Sequence, residues 1–234
     1  MTGSYAMACM AALMGKSQWG RYAGSIGFAI NLLIFILIVF SAHRLPIFGD
    51  FESITTISLV LGFLHLLNFY CSTPTDRRFY DAHAKWIYVS IILLLTYLAF
   101  FPKALNQDFY MYDDIMVIVF FHFRILASGV FIYSASILCA ALYHGFPGYI
   151  HMGRNFLLTG AAIFLISEFS GSLWCLNWHG DSWHWSKGFL KASCLFLVAI
   201  LACHIPASWK LSNRILAIIG SIPAAGSILL LFLH

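Results

Sequence analysis

The stretch Asn177 to Gly188, reading NWHGDSWHWSKG, places three tryptophans, two histidines and an Asp-Ser pair between two long apolar segments. Indole and imidazole rings at that density suit a flat, polar-edged platform at a membrane surface, where aromatic rings are comfortable and imidazoles can meet a ligand. An aromatic belt is the ordinary alternative for interfacial tryptophan, so the positions of the other histidines decide between the two. His65 lies within LGFLHLLNFY, where an imidazole is costly unless it has a partner. It is either a metal ligand or a histidine bonded to a neighbouring helix. His122 precedes Arg124 in VFFHFR; an imidazole can ligate a porphyrin iron and a guanidinium can pair with a propionate. His204 precedes Pro206 in ACHIPAS, and His234 is the last residue.

These side chains need elements that set their depth. The chain of 234 residues is 61% hydrophobic and 9% charged, against roughly 45–50% and 25% in soluble domains, with a mean hydropathy of +0.85. It therefore reads as an all-α, polytopic transmembrane bundle. A span takes about 20 apolar residues, which gives about seven spans, at roughly 24–42, 52–71, 85–102, 116–143, 155–175, 189–208 and 214–234. Residues 1–23 form an N-terminal segment, interfacial or irregular, and residues 24–234 the transmembrane domain. The short apolar run Ala6 to Met14 has no basic residue ahead of it, which argues against a classical signal peptide.

A net charge of +4 in such a chain reports sidedness rather than affinity for nucleic acid. With the N-terminus cytoplasmic, the inner set is Lys16, Arg21, Arg77, Arg78, Lys85, Arg154, Lys210 and Arg214, and the outer loops carry Arg44, Lys103, Lys187 and Lys191. That excess inside satisfies the positive-inside rule and turns the Trp-rich stretch outward. Short loops and compact size point to a bacterial inner membrane. The six cysteines form no CxxC, which speaks against structural disulfides and against a c-type haem attached to this chain.

Depth then sorts the histidines. His65 and His204 come to rest in the inner half, and His122 and His234 at the outer edge, bracketing the Trp-rich loop. Two pairs at two depths are what two haem positions need, each iron taking an imidazole from either side. Four histidines without carboxylate or thiolate companions fit haem better than zinc or copper. The cofactor expected is noncovalent, b-type haem, one or two per chain.

The remaining polar residues have ordinary expectations. Glu52 and Ser53 cap the second span; STPTDRRFYDAHAK is a solvated hairpin with His83 at the surface; Asp108, Asp113 and Asp114 stay hydrated; His144 and His151 are exposed. Glu168, in LISEFSGSLW, is either a functional acid or one satisfied by Ser167, Ser170 and Ser172.

Trp178, Gly180, Trp183, Trp185 and Lys187 follow, with one inserted residue before the glycine, the skeleton WGxxWxWDPKE of the cytochrome c assembly proteins of the CcsA/HemX type. The segment Leu45-Pro46 to Phe51-Glu52-Ser53 resembles that family's first outer loop, and Phe121-His122 with Arg124 its first outer histidine region. The resemblance runs from roughly residue 25 to the end. It implies that His65 and His204 are intramembrane haem ligands, that His122 and His234 flank an outer haem platform of Trp178, Trp183 and Trp185, and that an apocytochrome c is the client. Ser186-Lys187-Gly188-Phe189 stands where the family has Asp-Pro-Lys-Glu, so haem binding carries over better than ligation chemistry. The alternative is a di-haem membrane anchor, passing electrons between a quinol and membrane redox subunits, with Glu168 as proton acceptor beside the quinone.

Overall fold

The computed structural model describes residues 2–14, 17–46, 49–71, 77–100, 114–180 and 187–232. Eight α-helices carry the fold, with no strand among the described residues: α1 (Thr2–Leu13), α2 (Ser17–Ala42), α3 (Asp50–Cys71), α4 (Arg77–Ala99), α5 (Ile115–Tyr143), α6 (Ile150–His179), α7 (Lys187–Cys203) and α8 (Asn213–Phe232). Among the described residues, six stretches are long and apolar enough to cross a bilayer: Gln18–Ala42, Asp50–Leu67, Arg78–Ala99, Ile115–Tyr143, Pro147–His179 and Asn213–Leu231.

The expected span at 189–208, the sixth in order, differs. Its apolar helix stops at Cys203, because Pro206 offers no N–H to continue the ladder and biases the residue before it away from helix. At 17 residues α7 is about 26 Å long. Even so it runs back along α6, since Arg154 near the start of α6 donates to the Cys203 carbonyl at 2.7 Å.

The N-terminal segment, expected as interfacial or irregular, is helical from Thr2 to Leu13: α1 packs against α2 and α4 with Tyr5 and Ala8 fully buried, and α2 begins at Ser17 rather than near 24. Burial pushes the Tyr5 phenol and the Cys9 thiol up from their ordinary values, which keeps both neutral. The charged hairpin is helical from Arg77 onward. Phe79, Tyr80, His83, Ile87, Tyr88 and Ile91 recur at three- and four-residue spacing on its buried side, and Phe79 stacks on Tyr149 at 3.7 Å between ring centroids.

α5 is the axis of the bundle, packed against α3, α4, α6 and α8 and buried on all sides between Ile125 and Ala141, as befits a helix that is apolar all round. Its closest neighbour is α6, whose buried residues Gly153, Leu157, Gly160, Ala161, Phe164, Ser167 and Gly171 form one stripe. A Cβ at Gly160 or Gly171 would lie 2.8 Å from Phe131 or 2.5 Å from Phe120. Small residues thus bring the two backbones together. Hydroxyls fasten the seam: Ser167 Oγ donates to the Phe120 carbonyl at 2.6 Å, Ser170 Oγ to Met116 at 2.9 Å and Ser134 Oγ to Gly153 at 2.7 Å.

Candidate functional site

The Trp-rich stretch begins as the last turn of α6. Gly180 ends that helix with φ +72°, and its N–H bonds the Leu176 carbonyl, a left-handed cap that glycine adopts without strain. Trp178 is exposed, and its Nε1 donates to Asp114 Oδ2 at 3.1 Å. The other oxygen of Asp114 accepts from the Met116 N–H at 2.8 Å, capping α5. Asp114 is therefore not a merely hydrated loop acid, because it ties the start of the Trp-rich stretch to the start of the helix that carries His122. Trp183, Trp185 and His234 lie outside the described residues.

His122 sits two turns into α5, partly buried. Its Nδ1–H donates to the Ile118 carbonyl at 2.8 Å, which leaves Nε2 as a bare acceptor, and that atom is buried without a hydrogen-bond partner. An imidazole held by one nitrogen on a backbone carbonyl with the other left bare is oriented as metal-binding histidines are. Arg124 does not stand beside it. Two positions apart on a helix is about 200° around the axis, so Arg124 turns away from His122: it lies 4.1 Å over the ring of Phe120 one turn back on α5 and forms an ion pair with Glu168 of α6. The pairing answers both sequence questions at once: the guanidinium is already neutralised, and the acid is held by Arg124 rather than by the serines. Ser167 and Ser170 bond α5 carbonyls, and Ser172 donates to the Glu168 carbonyl at 3.0 Å.

A second ion pair joins residues eight positions apart. Arg44 grips Glu52 through two hydrogen bonds of 2.7 and 2.9 Å, with both side chains buried. Glu52 is thus locked to the chain entering α3 instead of serving as a simple cap, and Thr56 Oγ1 holds the Pro46 carbonyl of the same turn at 3.1 Å.

At the opposite end of the bundle His65 is buried, with Nε2 3.3 Å from the Tyr88 hydroxyl. Its other close imidazole is His83, at 6.2 Å between ring centroids. His83, expected at the surface, is fully buried. Its Nε2 lies 2.9 Å from Ser136 Oγ; because Ser136 gives its own hydrogen to the Tyr133 carbonyl, Nε2–H is the donor. The aromatic stripe of α4 was the signal that could have found it.

His204 is not brought to His65. It is exposed just beyond the end of α7, which packs on α6 and α8, whereas α3 packs on α2, α4 and α5. Its Nδ1 is 2.9 Å from the Ile200 carbonyl, the same one-turn contact that His122 makes. The pair His65–His83 is no substitute slot for a macrocycle: Phe79 stacks on His83 at 5.8 Å, Tyr88 meets His65 edge-on at 5.2 Å, and the rings fill the space. His144 and His151 are exposed, as expected. No group of three or more His, Cys, Asp or Glu side chains able to hold a metal ion occurs among the described residues. No family model, curated protein or solved structure matches this chain.

Proposed function

We propose that this chain is an integral membrane haem-binding protein of the cytochrome c assembly type, which holds haem at its outer end and presents it on the Trp-rich platform to an apocytochrome. The observation that carries the reading is His122, its Nδ1–H fixed on Ile118 and its buried Nε2 bare. Such an imidazole fits an axial ligand. When bound, haem would supply an iron open to imidazole and vinyl groups to which a client's cysteines add. The work of this chain would be positional: His122 is the candidate iron ligand, Asp114 ties Trp178 to the start of α5, and Trp183, Trp185 and His234 are the further residues that the family resemblance assigns to haem. Arg124 keeps the α5–α6 seam rather than a propionate, and a haem bridging His65 and His204 has no support in the packing. The electron-carrier reading relied on Glu168 as a proton acceptor; its pairing with Arg124 takes that support away.

The test is the haem content of the full chain purified in mild detergent, by pyridine haemochrome and reduced spectrum. The expected result is noncovalent haem b that His122→Ala loses and that added imidazole restores. Purified protein without haem, or a His122→Ala variant with unchanged content and spectrum, would overturn the proposal.

A further inference from the structure

At the end of the bundle away from the Trp-rich stretch, five stretches of chain converge on one cavity of about 330 Å³, at the small end of the range for ligand pockets. Among the described residues, Arg21, Arg78 and Lys85 line it with one carboxylate, Asp81, and His65 and Tyr88 complete its wall. The cations come from α2 and α4, separate segments that the positive-inside rule puts on the cytoplasmic face. The fold gathers them around a single hollow. His65 is buried and joined to the Tyr88 hydroxyl at 3.3 Å, which leaves the cations as the groups that would meet a ligand.

We propose that this cavity binds a phosphate-bearing anion. Guanidinium and ammonium groups in excess over carboxylate favour a group of more than one negative charge, and the arginine fork matches phosphate oxygens two at a time. The position at the mouth of the bundle, where helices leave the hydrocarbon, admits the headgroup of an anionic phospholipid from the leaflet as well as a soluble phosphate from the water. The site does not depend on haem.

The experiment compares three full-length proteins: the wild type, Arg78→Gln/Lys85→Gln, and Lys210→Gln/Arg214→Gln, which removes equal charge from exposed residues outside the cavity. In the lipid arm, native mass spectrometry counts phosphatidylglycerol retained from mixed phosphatidylcholine bilayers. In the soluble arm, binding of inorganic phosphate and pyrophosphate is read by phosphorus NMR. The expected result is one tight anion in one arm, which identifies the source, weakened at least about tenfold by the cavity variant and unchanged by the charge-matched one. Should the cavity variant fail to fold, acetylation of Lys85 in the wild type is the second readout: the bound anion should slow it while Lys210 reacts as before. Equal weakening in both variants, binding in neither arm, or a Lys85 as reactive with the anion as without it would overturn the proposal.

Discussion

Buried charge decides more at single residues here than apolar packing does. Arg44 and Glu52 are both removed from solvent and held by two short bonds, so each compensates the charge of the other. Taking away one partner strands the other in a medium that cannot solvate it, a loss of about 3–5 kcal/mol, whereas replacing both with apolar groups of similar volume is often near neutral. Glu52→Gln should therefore lower the detergent unfolding temperature sharply, and Arg44→Met/Glu52→Leu should recover most of it. A double variant no more stable than the single one would show that the pair matters beyond charge compensation. Arg124 and Glu168 are less buried, and pairing on the α5–α6 seam makes Glu168→Gln a milder change by the same measurement. A residue's role is likewise set by its face: His122 and Arg124 are near neighbours in sequence and serve different sides of one helix.

Between elements, the α5–α6 seam is the rigid feature. Gly160 faces Phe131 so closely that a side chain there must displace an aromatic ring of the central helix. Gly160→Leu should cost about 1–3 kcal/mol by overpacking, or separate the helices outright. Ser167→Ala should cost about 0.6 kcal/mol, since hydroxyl bonds between membrane helices are worth little more. Thermal unfolding of the two variants side by side checks the order; a serine loss larger than the glycine loss would refute it. The sequence exposes helices of this kind well, because a long apolar run admits few other readings, and Pro206 marks where α7 must stop. It hid α4's first turns. Averaged over a window, STPTDRRFYDAHAK is polar, yet Phe79, Tyr80 and His83 belong to a stripe that Ile87 and Tyr88 continue; periodicity held the information that composition concealed. Partners 44 positions apart, such as Arg124 and Glu168, leave no local trace. The distance between His65 and His204 was equally illegible, because depth in a membrane fixes one coordinate and packing order fixes the other two.

Across the whole molecule the two ends are chemically distinct. Asp114 and Trp178 meet at one end, while Arg21, Arg78, Lys85 and His144 meet at the other, an arrangement that fits the cytoplasmic placement of the basic end. Thiol labelling of His144→Cys and His179→Cys, in a background with the native cysteines replaced, should report opposite faces of inverted membrane vesicles. Labelling of both from one side would overturn the sidedness. The binding proposals are separable on the same ground: His122→Ala should leave anion binding at the basic end untouched, and Arg78→Gln/Lys85→Gln should leave haem content unchanged.

The unequal lengths of the helices have a consequence for the surrounding lipid. α6, at about 45 Å with Leu158, Leu165, Ile166 and Phe169 exposed, exceeds a hydrocarbon layer of about 30 Å, while the neighbouring α7, at about 26 Å, falls short of it. One flank of the protein asks the bilayer to thicken or the helices to lean, and the adjacent flank asks it to thin. The acyl chains around this molecule cannot all be the same length at equal elastic cost, and a membrane of mixed chain length should sort short lipids to the α7 side.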